Sequence, residues 1–149
     1  MIAATVIRQG SVEYMKVATT TDYASTFSTS WTDVPGTALA MPIPAGEHDF
    51  FQITFSVGSL QCTLGVLGYS AGACSVRALV DGQVAMPGPV VFGESGEFGR
   101  NDLTHSMQWT SNVLAPGTHY VKMQFATGAN DNVMGLYART MTVVRARAY

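Results

Sequence analysis

Two-residue alternation is the feature that most constrains this chain. In Phe51-Gln52-Ile53-Thr54-Phe55-Ser56-Val57 every second residue is apolar and those between are polar. His119-Tyr120-Val121-Lys122-Met123-Gln124-Phe125 repeats the pattern, and Cys74-Ser75-Val76-Arg77-Ala78-Leu79-Val80 follows it less cleanly. Successive side chains of an extended chain point to opposite faces. Each segment therefore reads as a strand with one face on a core and the other toward solvent or a partner.

Leu39-Ala40-Met41-Pro42-Ile43-Pro44 alternates too, but its prolines cannot donate to a ladder, so it reads as an edge strand. His105–Trp109, Tyr137–Ala148, Phe27–Trp31 and Val12–Val17 read as further strands. Turn signals separate them: Val34-Pro35-Gly36, Ile43-Pro44-Ala45-Gly46, Val80-Asp81-Gly82 and Ala115-Pro116-Gly117. Asp81-Gly82, before Gln83-Val84-Ala85, predicts a tight hairpin turn. No window carries an apolar stripe at helical spacing. About eight short strands predict an all-β fold, a two-sheet antiparallel β-sandwich of jelly-roll type. Stretches 18–26, 63–73 and 93–103 read as irregular, the last a polar, Gly-rich surface loop.

At 149 residues the chain fits one domain, 1–149. Residues 1–26 are less regular. They either pack on their own sandwich as a peripheral strand or reach onto a neighbour as an arm.

Charged residues make up only 12% of the chain, against about 25% in a typical soluble domain. Either another chain covers part of the surface, or hydroxyls solvate it. The net charge is −2 with no basic stripe, which argues against nucleic acid. No apolar run reaches the roughly 18 residues of a membrane helix. Met1-Ile2-Ala3-Ala4-Thr5-Val6-Ile7-Arg8 shows no signal-peptide pattern. The expectation is a chain that works where it is made or is released by lysis, unless a leader was removed.

Cys62 and Cys74 each sit at the inner end of a predicted strand. A disulfide between them would staple the mouth of a long hairpin loop, and two buried thiols are the alternative.

Gly68-Tyr69-Ser70-Ala71-Gly72 matches the G-x-S-x-G nucleophile elbow, but Ala73 and Cys74 open a strand where that elbow needs a helix. Ser70 is therefore read as a loop residue, and the chain as no enzyme. His48 reads as solvated. His105 and His119 read as core-edge residues, a joint site being the lesser alternative. Asn130-Asp131-Asn132 reads as a turn: it offers too few oxygens for calcium, although Glu94, Glu97 and Asp102 could add theirs in space. No metal or cofactor is expected. Among Trp31, Trp109, Tyr69, Tyr120 and Tyr137, the aromatic candidates for a sugar platform, Trp109 falls on the core register. Tyr120 falls on the outward register beside Lys122 and Gln124. Tyr120 and Lys122, with Glu94, Glu97, Phe98 and Arg100 of the polar loop, are the candidate contacts for a partner chain or a glycan.

Trp31-Thr32-Asp33-Val34-Pro35-Gly36, Cys74 to Gly82 and Leu114-Ala115-Pro116-Gly117-Thr118-His119-Tyr120-Val121-Lys122-Met123 resemble small jelly-roll domains of tailed-bacteriophage virion proteins and bacterial surface proteins. The resemblance covers about residues 27–147. It implies a non-catalytic module that assembles as a closed oligomer, often a trimer, and it brings no active residues. The expectation that follows is a virion component, a capsid decoration protein or tail-associated subunit, acting on its own copies and on other virion proteins. A carbohydrate-binding or lectin-like adhesin module, extracellular or at the cell surface, is the alternative. An extracellular filament subunit is the second.

Overall fold

The computed structural model describes residues 2–4, 12–63, 72–94, 103–129 and 132–148. Among them the chain is all β. The strands are β1 (Ile2–Ala4), β2 (Val12–Thr20), β3 (Ala24–Thr26), β4 (Thr32–Asp33), β5 (Leu39–Ile43), β6 (Asp49–Thr63), β7 (Ala73–Val80), β8 (Gln83–Val84), β9 (Val90–Glu94), β10 (Leu103–Thr110), β11 (Gly117–Thr127) and β12 (Val133–Arg147).

They form two antiparallel sheets, a β-sandwich of jelly-roll type. Sheet A runs β1-β2-β12-β6-β10, with β3 also on β12. In sheet B, β4 and β5 share one side of β11, β7 lies on the other, and β8 and β9 pair with β7. Among the described strands β5 pairs with β11 alone, the edge position that its proline requires.

The alternation becomes the core. Phe51, Ile53, Phe55 and Val57 of β6 face Val76, Ala78, Val121, Met123 and Phe125 of sheet B in one fully buried cluster. Burying a side chain of this kind contributes roughly 1.5–3 kcal/mol. Trp109 is wholly buried, as its register predicts, and its indole N–H donates to the Gly88 carbonyl at 2.8 Å.

One facing pair breaks the alternation in both central strands. β6 buries odd-numbered residues through Val57 and even-numbered ones from Leu60. β12 buries Met134 and Leu136, then Arg139, Met141 and Val143. The breaks fall at Gly58 and Ala138, between the paired residues Ser59↔Tyr137 and Val57↔Arg139. Ala138 has φ +46°, and a Cβ on Gly58 would sit 3.1 Å from the Ala138 Cβ. Glycine at 58 is what lets the strands stay paired across the break.

Three expectations need correction. Phe27–Trp31 is not a strand. The Thr26 hydroxyl accepts from the Ser28 N–H at 3.1 Å, and the Ser28 hydroxyl from Ser30 N–H at 3.0 Å. These local bonds hold the backbone in turns; the Ser28 carbonyl accepts the Thr127 N–H of β11 at 2.9 Å, but the strand ladder with sheet B starts at Thr32. Stretch 18–26 is not irregular, since β2 continues to Thr20 and β3 pairs with Met134–Leu136.

The third concerns the cysteines. Cys62 and Cys74 are disulfide-bonded, with Cα atoms 5.9 Å apart. Their strands do not form a hairpin, however: β6 belongs to sheet A and β7 to sheet B, so the bond crosses the sandwich. The Asp81-Gly82 turn is as expected, with φ +50° and +81° joining β7 to β8.

A candidate functional site on the outer face of sheet B

The residues that alternate away from the core on β11 and β7 form a chemically varied surface. β11 presents Thr118, Tyr120, Lys122 and Gln124, with Tyr120 67% exposed. The register sets Arg77 of β7 beside Gln124, and Asp33 of β4 on its other side. Trp31 immediately precedes β4.

These side chains hold one another in place. The Arg77 guanidinium lies over the Trp31 ring, 4.4 Å from its centroid. Its Nε and Nη2 both donate to Gln124 Oε1, at 2.9 and 2.7 Å. Gln124 Nε2 donates to Asp33 Oδ1 at 2.8 Å, and Lys122 Nζ donates to Asp33 Oδ2 at 2.8 Å. The hydrogen bonds from Lys122 and then Gln124 hold the Asp33 carboxyl below its ordinary range, against the small cost of its burial. Both ends of the Asp33–Lys122 pair remain over a third exposed, so it contributes order more than stability.

The result is a row running Trp31, Arg77, Gln124, Asp33, Lys122, with Tyr120 two residues beyond Lys122 on the same strand face. Four residues of strand separate Tyr120 from Gln124, about 13 Å. Exposed Tyr120 lies at one end and Trp31, with the Arg77 guanidinium over its ring, at the other, and fixed donors and acceptors lie between.

Tyr120 and Lys122 thus fall where the outward register puts them. Glu94 does not join them: it ends β9, exposed, on the far side of β7. Glu97, Phe98, Arg100, Tyr69, Ser70, Asp102, Asn130 and Asp131 lie outside the described residues. Asn132 is fully buried. Tyr137 pairs with Tyr23 on sheet A, ring centroids 4.5 Å apart. His48 is exposed. His105 packs on Phe92 and belongs to sheet A, whereas His119 belongs to sheet B, so the two build no common site. Among the described residues no three His, Cys, Asp or Glu side chains gather as a metal site.

Asp33 and Arg77 escaped the sequence reading, and Gln124 entered it only as an outward neighbour of Tyr120. The alternation shows that Arg77 and Gln124 point outward, but their contact depends on a strand register between segments almost fifty residues apart.

No protein-family model matches this chain, and no curated protein resembles it in sequence. Solved structures resemble it in fold. The C-terminal domain of EclA, described as a sugar-binding protein, aligns with 82% of this chain and 78% of its own, at 10% identity and TM-score 0.42. A carbohydrate-binding module of Cellvibrio mixtus lichenase 5A aligns with 91% of this chain and 88% of its own, at 17% identity and TM-score 0.36. A structure of infectious bursal disease virus, Gx strain, aligns with 89% of this chain and 33% of its own, at 13% identity and TM-score 0.38. Likeness this distant says nothing of ligand or partner.

Proposed function

We propose that this chain is a non-catalytic carbohydrate-binding module that holds a glycan on the outer face of sheet B, between Trp31 and Tyr120. The observation that carries the reading is the prearranged row of Arg77, Gln124, Asp33 and Lys122 flanked by those two aromatic side chains. A sugar ring offers C–H groups on its faces and hydroxyls around its rim. Aromatic rings receive the first, and the amide, carboxylate and cationic groups receive the second. Because these polar groups already fix one another, little side-chain entropy is lost on binding. A disulfide-bonded module of this kind belongs outside the cell or on its surface, where such bonds persist. The test is a glycan array with the folded protein, repeated with Tyr120→Ala and Trp31→Ala. Binding that both variants lose supports the reading. An array without signal, or binding that both variants retain, rejects it.

A second reading, the assembly subunit of a virion, rests on sheet A. Its outer face carries three rungs read directly from the register: Ser106, Ser56, Thr140, Thr19; Gln108, Thr54, Thr142, Val17; and Thr110, Gln52, Val144, Met15. None of these side chains is charged, and hydroxyl pairs bridge the strands, Ser56 to Ser106 at 2.8 Å and Thr19 to Thr140 at 2.9 Å. A closed oligomer would use such a face without desolvating charge. Light scattering after size exclusion decides it: a discrete oligomer supports assembly and a clean monomer removes it.

A further inference from the structure

At the end of the sandwich marked by the β7–β8 turn lies a cavity of about 140 Å³ lined by Val80, Val84, Ala85 and Leu114, with Asp81, Gln83, Ser111 and Asn112 around it. We infer that this cavity is a binding site for a small neutral ring compound, an apolar six-membered ring carrying one hydroxyl or amide. This inference is independent of the glycan reading and uses none of the sheet B row.

Three observations carry it. The first is size, since a cavity of about 150 Å³ holds a benzene-sized ring, and Val80, Val84, Ala85 and Leu114 supply apolar walls. The second is where the molecule leaves apolar surface uncovered. Val84 lines the cavity and is 41% exposed, an apolar wall that the rest of the described molecule leaves uncovered.

The third is which polar groups remain available. Asp81 is already engaged: its Oδ2 meets His119 Nδ1 at 2.6 Å and its Oδ1 accepts the Tyr120 N–H at 2.7 Å. Ser111 is engaged as well, donating to the Asn112 carbonyl and accepting the Phe51 N–H. The exposed carboxamides of Gln83 and Asn112 line the cavity and can supply both donors and acceptors. Among the described residues no cation lines it, and His119 is already engaged by Asp81, so an anionic ligand finds no counter-charge there.

The experiment is an amide NMR titration of the protein with benzyl alcohol, run in parallel with benzoate. Saturable shifts confined to Val84, Ala85, Asn112 and Leu114, with a Kd in roughly the millimolar range for benzyl alcohol and weaker binding of benzoate, are expected. Val84→Asp, on a part-exposed wall, should weaken benzyl alcohol by at least about tenfold, and Asn112→Ala should weaken it less. Absence of saturable shifts at these residues, benzoate binding as tightly as the alcohol, or full binding by both variants would overturn the inference.

Discussion

His119 and Asp81 join the start of β11 to the β7–β8 turn through an Nδ1–Oδ2 contact of 2.6 Å, while His119 Nε2 faces the Ala115 carbonyl at 2.8 Å. Both ring nitrogens therefore meet acceptors, an arrangement that only the doubly protonated imidazolium satisfies. Burial opposes that charge, but the hydrogen bonds that His119 donates to Asp81 and Ala115 and the attraction of Asp81 outweigh it, so the His119 pKa is raised. Burial likewise works against the Asp81 carboxylate. The Tyr120 N–H and His119 outweigh it, and the Asp81 pKa is lowered.

The stability of this corner should follow pH in a definite sense. A histidine with a raised folded pKa contributes stability that is complete below the unfolded value of about 6.5 and disappears as pH rises through the folded one. The lowered Asp81 contributes stability present above about pH 4 and lost as pH falls through its folded value. Thermal unfolding of the wild type should show Tm declining above about pH 6.5, and His119→Gln should flatten that alkaline decline. Equal slopes in the two proteins would mean that His119 is neutral in the fold.

The inter-sheet disulfide should be a main staple. Reducing Cys62–Cys74, or replacing both with Ala, frees a loop whose closure contributes roughly 3 kcal/mol. Melting with and without reductant measures it, and an unchanged Tm would show that the sheets hold together without the bond.

Asp49 is fully buried beside Arg145, with its Oδ2 3.2 Å from the guanidinium Nε. Burial raises its pKa more than Arg145 lowers it. Asp49→Ala leaves a nearly buried guanidinium without that partner and should cost about 3–5 kcal/mol in denaturant unfolding. A loss below about 1 kcal/mol would show that Arg145 turns to Glu47 instead, whose Oε2 is 3.8 Å away.

At the break in sheet A, the left-handed backbone of Ala138 predicts a clear order among variants. Ala138→Gly should be at least as stable as the wild type, and Ala138→Val should lose about 1–3 kcal/mol, because a β-branched residue resists positive φ. Chemical denaturation of the three proteins checks the order.

The alternation of apolar and polar residues by itself determined that the chain is all β and, away from the break at Gly58 and Ala138, which side of each main strand is buried. Phe51 to Val57, Val121 to Phe125 and Trp109 lie where their register puts them, because in an extended chain side is fixed by position number alone. The same rule set Tyr120 and Lys122 outward. Tertiary structure decided what no local rule contains: which strands are neighbours. That Cys62 and Cys74 bond across the sandwich, that Arg77 meets Gln124 and Trp31, and that Gly58 faces Ala138 all depend on pairings between distant segments. Those pairings follow from how two whole sheets bury their apolar faces together. Phe27 to Trp31 failed for the opposite reason. Its propensity was that of a strand, but the Thr26 and Ser28 hydroxyls gave the backbone local partners before the sheet could.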